Sequence, residues 1–293
     1  MTVHYRETEC ASAIQRVHGM PFDWSLNPYQ GCVHGCHYCY ARRFHGFLDL
    51  DPGRDFEREI FVKTNVATQL RRELSRPGWK GDQVSIGTAT DPYQPIEGRY
   101  QLTRACLQAF LDHRNPVGLV TKGTLIVRDL DILQSLEAAA GTSICFSLTT
   151  LDTDLWRQLE PGTPPPNQRL RAMEVLARAG VRAGIFIAPV LPGITDDIKA
   201  LEGLVQAAVD HGAQFVGSQL LYLRDGTRQH FLAYLQQNHP DLMARYRSLY
   251  PGPYAPKRFQ QRLSTEVAWV KRRVGLVDAP PPPRRAIRQL SFC

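Results

Sequence analysis

Residues 27–43 read NPYQGCVHGCHYCYARR and hold three of the seven cysteines of the chain, Cys32, Cys36 and Cys39, in a C-x3-C-x2-C spacing. Two glycines lie among them, and glycine lets the backbone take positive φ values that turn the thiols toward one centre. Three thiolates so close in sequence can occupy three corners of an iron–sulfur cube, whereas such clusters normally use four cysteines. The stretch therefore predicts a 4Fe–4S cluster with one open iron, comparable to the free coordination position of catalytic metal sites.

The same cysteines also fit a structural zinc site, completed by His34, His37 or His45. Zinc favours a tetrahedron of sulfur and nitrogen ligands. A disulfide framework is disfavoured, because the first twenty residues do not read as a secretory leader and a chain of 293 residues needs no such crosslinks. The spacing alone leaves the cluster and the zinc site as alternatives.

Composition and charge set broad limits on the class of protein. A hydrophobic fraction of 43% with 22% charged residues is ordinary for a soluble globular chain, and no run approaches the about 18 apolar residues of a membrane span. Free thiols favour a reducing cytoplasm. The net charge of +7 permits contact with a polyanion. Arg42, Arg43 and His45 could attract an anionic substrate, although a solvated basic turn is the commoner interpretation of such a group.

The cysteine spacing, with the aromatic Tyr38 before the last cysteine, resembles the signature of the radical S-adenosylmethionine (SAM) superfamily. The resemblance implies that SAM binds the open iron through its amino and carboxylate groups. It also implies that the reduced cluster passes one electron to the sulfonium and that a 5′-deoxyadenosyl radical is released. Across residues 22–222, further segments are similar to the branch of spore photoproduct lyase.

Short apolar segments alternate with amphipathic helices after the cysteines, which is typical of parallel βαβ units. A helix capped by Asn65 comes first. Strands are predicted at 22–27, 84–87, 117–120, 143–148, 182–187 and 215–220, and helices at 103–113, 129–139, 169–179 and 196–210. With the resemblance, the pattern predicts an α/β fold, a partial (β/α)6 TIM-like barrel. The loops after its strands would form the catalytic mouth.

Three of these loops carry polar side chains that suit a cofactor. In the segment GTATDPYQPIE, Thr90 and Asp91 offer acceptors for a ribose or an ammonium group, and the alternative is a turn that caps its own backbone. Lys122 follows the next strand and suits the carboxylate of SAM, unless it is a plain surface lysine. Ser147 follows the strand after that. The similarity to the lyase branch implies a set of cofactor contacts: Tyr38, Thr90, Asp91, Lys122 and Ser147.

Two further residues are candidates for substrate contact, and no catalytic residue is assigned. Tyr93 lies in the first of these loops, and Arg169 lies in the segment EPGTPPPNQRL, which is similar to the lyase branch. Arg169 is predicted at a helix start, where its charge opposes the helix dipole. Its placement indicates a partner such as Glu160 or a substrate phosphate, with a surface arginine bonded to loop carbonyls as the simpler account.

The sequence departs from the lyase branch at one informative place. Spore photoproduct lyase has a cysteine in the loop after the second barrel strand, which returns a hydrogen atom to the product radical, and here that loop reads GTATD. Of the other thiols, Cys106 is predicted in a helix and Cys145 in a strand. Cys145 shares a strand face with Ser147, although inert core packing is usual for free cysteines. The substrate is therefore left unidentified, with a nucleic acid as one candidate.

The chain after residue 223 is predicted to be helical at 229–238, 240–250 and 256–274. Aromatic and basic residues there form a patch of the kind that binds nucleic acid. The alternative is a helical lid over the open barrel, with the aromatics buried. The patch consists of Tyr246, Tyr250, Tyr254, Phe259, Arg245, Arg247, Lys257 and Arg258.

The chain thus divides into an N-terminal arm (1–21), a radical SAM core barrel (22–223), a helical C-terminal extension (224–278) and a Pro/Arg-rich tail (279–293) of polyproline type. The favoured function is a radical SAM enzyme that uses a one-electron reductant of flavodoxin or ferredoxin type. One alternative is a zinc-containing nucleic-acid-binding protein. Another is an iron–sulfur protein for electron transfer or sensing.

Overall fold

The computed structural model describes residues 2–279, so the tail from residue 280 on lies outside the described residues. The strands are β1 His4–Thr8, β2 Ile14–Arg16, β3 Trp24–Leu26, β4 Tyr29–Gln30, β5 Glu59–Lys63, β6 Val84–Ile86, β7 Val117–Thr121, β8 Thr142–Ser147, β9 Ala183–Val190 and β10 Val216–Leu220. The α-helices are α1 Val66–Leu74, α2 Glu97–Tyr100, α3 Leu102–Asp112, α4 Leu130–Ala139, α5 Thr153–Leu159, α6 Pro166–Arg178, α7 Ile198–Asp210, α8 Thr227–Asn238, α9 Met243–Leu249 and α10 Lys257–Arg273.

The main sheet has the strand order β10-β9-β8-β7-β6-β3-β2. Neighbours from β3 to β10 pair in parallel, and β2 pairs antiparallel with β3 at one edge. The parallel α/β fold predicted from the alternating pattern is confirmed. The two edge strands do not pair with each other within residues 2–279, so the sheet is open.

Alternation along each strand separates a helix-covered face from the face on which the site is built. In β8, Ile144 and Phe146 are fully buried in the main core. Successive side chains of a strand point to opposite faces, so Cys145 and Ser147 project from the other face. If the register of the strand shifted by one residue, the side chains of its two faces would exchange places. Because the core residues would then leave the core, burial of one face fixes the register.

The N-terminal arm adds a small second sheet that the sequence did not predict. It has the order β1-β5-β4, with β1 parallel to β5. Asn65 is the N-cap residue of α1, as predicted, but its side chain makes no cap bond to the helix. Instead Asn65 Oδ1 accepts from the backbone N–H of Cys10 at 2.8 Å, and its Nδ2 donates to the carbonyl of Cys10 at 3.1 Å. The Asn65 side-chain amide can bond either the first turn of α1 or the N-terminal arm, and in the structure it bonds the arm.

The C-terminal extension is helical, as predicted. Helix α10 packs along β10 and α7, while α8 and α9 lie over the cysteine loop. The extension and the loop share a second core cluster that includes Cys36, Tyr38, Tyr234 and Tyr246. None of the helices within residues 2–279 is long and apolar enough to cross a membrane.

Candidate functional site

The cysteine loop follows β3 and β4, at the carboxyl edge of the parallel sheet. Cys32 and Cys36 are buried, Cys39 is half-buried, and all three are free thiols. Burial raises the pKa of Cys36 to about 12 and raises that of Cys32 as well. Binding to a metal cation deprotonates such thiols outright. Three free thiols on one short loop are the donor set of an iron–sulfur cluster that takes one thiolate at each of three irons.

Close backbone packing holds the start of the loop. Gly31 has a φ of +83°, and an added Cβ there would lie 2.8 Å from the carbonyl oxygen of Glu59. A side chain at this position is therefore excluded by both strain and space. The N–H of the next residue, Cys32, donates to the carbonyl of Phe56 at 2.9 Å.

A buried guanidinium holds the middle of the loop. Arg42 is fully buried, and its Nε donates to the carbonyl of Cys36 at 3.1 Å, while Nη2 donates to that of Gly35 at 2.9 Å. Nη1 reaches the carbonyl of Gly53 at 2.7 Å. His45 is also fully buried. The interpretation of this group as a solvated basic turn is therefore wrong for Arg42 and His45. Buried loop carbonyls need hydrogen-bond donors, and these two side chains turn inward to supply them.

Each histidine that could complete a zinc site has one ring nitrogen near another polar group, but the Nδ1 atoms of His34 and His45 are buried without a hydrogen-bond partner among residues 2–279. His34 Nδ1 lies 3.3 Å from Asp91 Oδ2, and His45 Nε2 lies 2.9 Å from the carbonyl oxygen of Glu59. His37 Nδ1 lies 3.0 Å from a ring nitrogen of His230. In the part of the chain that the structure describes, no three His, Cys, Asp or Glu side chains, the three cysteines included, are arranged around one metal ion.

A buried polar network connects the loop to the next strands. The Tyr38 hydroxyl donates to Glu160 and lies 3.0 Å from Thr149 Oγ1. Glu160 also pairs with Arg169, whose Nη1 donates to the carbonyl of Ser147 at 3.0 Å. Burial opposes ionisation of Glu160, but the charge of Arg169 lowers its pKa to about 2. One carboxylate therefore fixes both Tyr38 and, through Arg169, the end of β8.

Lys122 stands between the cysteines and the end of β8. Its Nζ donates to Ser147 Oγ at 2.9 Å and lies 5.5 Å from the ring centroid of Tyr38. Burial opposes the charged ammonium, but Cys36 and Glu160 nearby raise the pKa of Lys122 above its ordinary value. An ammonium in this position can bind a carboxylate.

Thr90 and Asp91 brace the loop after β6 rather than offering free acceptors. Thr90 Oγ1 donates to the carbonyl of Gly31 at 2.6 Å. Asp91 accepts from Thr121 Oγ1 and from the N–H of Lys122, both at 2.6 Å. It also accepts from the N–H of Tyr93 at 2.9 Å, which is the self-capping turn that the sequence left open. Burial works against its charge, but His34 and these donors lower the pKa of Asp91.

The two candidates for substrate contact are directed into the protein. The Tyr93 hydroxyl donates to Asp129 Oδ2 at 3.0 Å. Arg169 is fully buried in α6 and pairs with Glu160, one of the partners that the sequence left open for it. Its Nε donates to the carbonyl of Pro164 at 2.8 Å.

The extension covers the cysteine loop. Within the aromatic–basic patch, Tyr246 and Tyr250 are buried and the basic residues are exposed. Thr227 Oγ1 donates to the carbonyl of Cys39 at 3.0 Å, and the ring of Tyr234 stacks on His37 at 4.6 Å. Tyr246 and Tyr250 are each only 1% exposed, as the lid alternative requires. The hydroxyls of these three tyrosines have no hydrogen-bond partner among residues 2–279. The basic residues of the patch, Arg245, Arg247, Lys257 and Arg258, are exposed.

Some contributors to the site were missed at the sequence level. Gln94, inside the segment TDPYQPIE, is fully buried and donates to the carbonyl of Gly31 at 3.1 Å. Gln94 could have been identified from the sequence, because it is a polar residue in a segment already assigned to the site. Thr227 carried no signal, since it lies 188 residues from its partner Cys39.

The fold and the site together define a class, α/β proteins with a parallel sheet and a three-cysteine loop over its carboxyl edge. The family model of the radical SAM superfamily matches residues 26–204. The chain belongs to this superfamily, as the motif indicated. Its members use a 4Fe–4S cluster and SAM, and the three free thiols fit that cluster.

Relatives are found in several lineages. An uncharacterised protein of Mycobacterium tuberculosis is 40% identical over 270 residues, covering 91% of this chain and 79% of the relative. An uncharacterised protein of Methanocaldococcus jannaschii is 24% identical over 216 residues, covering 74% and 76%. A radical SAM Nα-GlyT isomerase of Pseudomonas phage M6 is 28% identical over 178 residues, covering 59% of this chain and 35% of the isomerase.

Solved structures of spore photoproduct lyase share the fold. A variant of that lyase with bound AdoMet and dinucleoside spore photoproduct aligns with a TM-score of 0.67 at 15% identity, covering 92% of this chain and 79% of the lyase. The lyase complexed with the dinucleoside alone aligns with a TM-score of 0.69. At this level of identity the likeness is one of fold.

Proposed function

We propose that the protein holds a 4Fe–4S cluster at Cys32, Cys36 and Cys39 and binds SAM beside it. The observation that carries the proposal is the group of three free thiols on one loop, two of them buried and one half-buried, with the ammonium of Lys122 close by. When bound, the cluster and SAM supply a 5′-deoxyadenosyl radical that abstracts hydrogen from the substrate.

The residues around the thiols have distinct tasks in this proposal. The ammonium of Lys122 binds the SAM carboxylate, and Ser147 orients that ammonium through the bond at 2.9 Å. Tyr38 contacts the cofactor with its ring, because its hydroxyl is taken by Glu160. Thr90 and Asp91 act on the cofactor indirectly, because their hydrogen bonds to Gly31 and Lys122 hold the surrounding loops in place.

For Tyr93 and Arg169 we infer positioning instead of substrate contact, since their polar atoms bond within the protein. The open sheet of six parallel strands is interpreted as the partial (β/α)6 barrel, with the extension as its lid. A sealed mouth of this kind protects a reactive radical from water.

A nucleic acid is the substrate class that we propose. This class is supported by the lyase of the same fold, which was solved with a dinucleoside spore photoproduct. The loop after β6 lacks the cysteine of the lyase, so the hydrogen donor of the product step differs from that of the lyase. A flavodoxin or ferredoxin in a reducing cytoplasm supplies the electron.

Metal analysis tests the cluster. After anaerobic reconstitution the protein should contain about four irons and four acid-labile sulfides per chain, and reduction with dithionite in the presence of SAM should yield 5′-deoxyadenosine. Cys36→Ala should lose both, while the control Cys10→Ser, at a half-buried thiol bonded to Asn65, should keep both.

Stoichiometric zinc without sulfide would establish the zinc alternative. A cluster that never yields 5′-deoxyadenosine, with nucleic acid present or absent, would establish the electron-transfer alternative.

A further inference from the structure

The charge of the chain is concentrated at its C-terminal end. Residues 240–293 contain 11 of the 35 lysines and arginines but only 3 of the 28 aspartates and glutamates. This segment therefore carries a net charge of +8, and residues 1–239 carry −1. Such asymmetry within one chain is typical of proteins that contact a polyanion.

Helix α10 has a buried inner face and an exposed outer face. Leu263, Val267 and Val270 are buried against the main core. Lys257, Arg258 and Arg262 are exposed on the other side. We call Lys257, Arg258 and Arg262, together with the exposed Tyr254 and the half-buried Phe259, the basic outer face.

The cations of the basic outer face are only partly neutralised. Arg262 pairs with Glu266 at 2.7 Å. Within residues 2–279, Lys257 and Arg258 have no carboxylate in ion-pair distance. The guanidinium of Arg258 lies 5.5 Å from the ring centroid of Phe259, and Arg258, Phe259 and Arg262 together line a surface groove.

One exposed aromatic ring precedes these cations by three residues in the chain. Tyr254 is 58% exposed. Its ring lies 4.8 Å from that of Tyr222, which follows the end of β10. Exposed rings interleaved with basic side chains are the elements with which proteins bind single-stranded nucleic acid, by stacking on bases and pairing with phosphates.

The basic outer face is on the same side of the molecule as the cysteine loop. Tyr254 forms a β-bridge with Tyr222, near the carboxyl end of β10. At the far end of α10, Lys271 Nζ donates to the carbonyl of Val216, the first residue of β10, at 2.9 Å. Helix α10 therefore runs antiparallel to β10 and places Lys257 and Arg258 at the carboxyl edge of the sheet, where the site lies.

We propose that the basic outer face binds the backbone of a single-stranded nucleic acid segment and stacks one of its bases on Tyr254, an inference that rests on the proposed function. A single strand fits better than a duplex, since a base must leave its stack to reach a buried site. The segment would then pass from the basic outer face to the lid over the cysteine loop.

Fluorescence anisotropy of the reconstituted, full-length protein with a labelled single-stranded DNA of about 15 nucleotides tests this proposal. The triple variant Lys257→Gln/Arg258→Gln/Arg262→Gln should bind about 10- to 100-fold more weakly near 0.1 M salt, and the slope of log K against log salt should fall by about 2. The matched control is Arg72→Gln/Arg76→Gln/Lys80→Gln, which removes three exposed charges around α1. It should bind as the unchanged protein does.

Tyr254 gives an independent measurement. Tyr254→Ala should weaken binding about tenfold through loss of stacking, while Tyr254→Phe should not. Equal losses in both triple variants would overturn the inference in favour of unspecific attraction. Tight binding to polyglutamate of equal charge would overturn it in favour of an acidic protein partner.

Failure of this inference and failure of the proposed function have different signatures. Without nucleic acid, the triple variant should keep its iron, its sulfide and its yield of 5′-deoxyadenosine. If those are normal but oligonucleotide binding is absent or insensitive to the triple substitution, the basic outer face is not the binding surface and the radical chemistry stands. If iron and sulfide are missing from the unchanged protein as well, the proposed function fails.

Discussion

The cysteine loop and the C-terminal extension touch at Thr227 and His37, yet they satisfy their polar groups in different ways. In the loop, buried carbonyls are bonded by Arg42, Gln94 and Thr90, while the Nδ1 atoms of His34 and His45 lack a hydrogen-bond partner within residues 2–279. In the extension, the hydroxyls of three buried tyrosines have no partner within residues 2–279. Fully bonded polar networks make a region rigid and specific, and unbonded buried groups cost stability. The difference separates a preorganised cofactor site from a cover whose packing is set mainly by apolar contacts.

The largest effect is expected at the buried ion pair. Arg169→Met leaves the carboxylate of Glu160 buried without its cation, and breaking such pairs costs about 3–5 kcal/mol. Urea denaturation should show this loss in the free energy of unfolding. The control is Arg171→Met, at an exposed arginine of the same helix, and it should leave the free energy of unfolding unchanged. Equal stability of both variants would show that the network does not hold the site.

The same pair predicts a pH dependence. The folded-state pKa of Glu160 is lowered to about 2, below the 4.5 of a free glutamate. Its stabilisation is therefore present above pH 4.5 and is lost as the pH falls toward 2. Unfolding measured across this window should show a decline that Glu160→Gln reduces. A decline of the same size in the variant would assign it to other carboxylates.

Loss of the Lys122 ammonium should weaken SAM binding without removing the cluster. Lys122→Met deletes a charge-assisted hydrogen bond, which contributes about 1.5–3 kcal/mol, or roughly 10- to 100-fold in affinity. Titration calorimetry on the reconstituted protein measures the affinity, and iron content serves as the internal control. Unchanged affinity would remove Lys122 from the cofactor site.

A pair of tyrosine variants contrasts the two regions directly. Tyr38→Phe removes a hydroxyl bonded to Glu160 and Thr149 and should cost about 1–3 kcal/mol of unfolding free energy. Tyr246→Phe removes an unbonded hydroxyl and should be neutral or stabilise by up to about 1 kcal/mol. Similar losses in both variants would show that the Tyr246 hydroxyl is hydrogen-bonded as the Tyr38 hydroxyl is.

The smallest effect is expected where the two regions meet. Thr227→Val deletes the bond to the carbonyl of Cys39 and should cost about 1 kcal/mol. Thr265→Val, at an exposed threonine of α10, is the control. A loss in the control as large as that of Thr227→Val would show that the contact contributes nothing specific.

The parts of the fold that could be predicted are those with local signals. Apolar strands with β-branched residues, such as Val84–Ile86 and Val117–Thr121, were located by their pattern. The cysteine spacing led to the superfamily. Lys122 and Ser147 were found because parallel strands end at one edge, and the structure brings them to 2.9 Å of each other.

The parts that could not be predicted depend on distant contacts. Arg42 looked like a surface charge, and only the fold surrounds it with carbonyls. Asn65 had the form of a helix cap, but the arm that takes its side chain lies 55 residues earlier. The division of the C-terminal patch into a buried and an exposed half depends on how α8, α9 and α10 pack, which the local pattern does not determine.

Electron paramagnetic resonance of the reduced, reconstituted protein with and without SAM tests the central claim most directly, namely that three cysteines leave one iron open to SAM. We predict an iron–sulfur signal whose g values shift when SAM is added, and no such signal in Cys36→Ala. A signal that SAM leaves unchanged at saturating concentration would contradict the account, because it would mean that the fourth iron is not available to the cofactor.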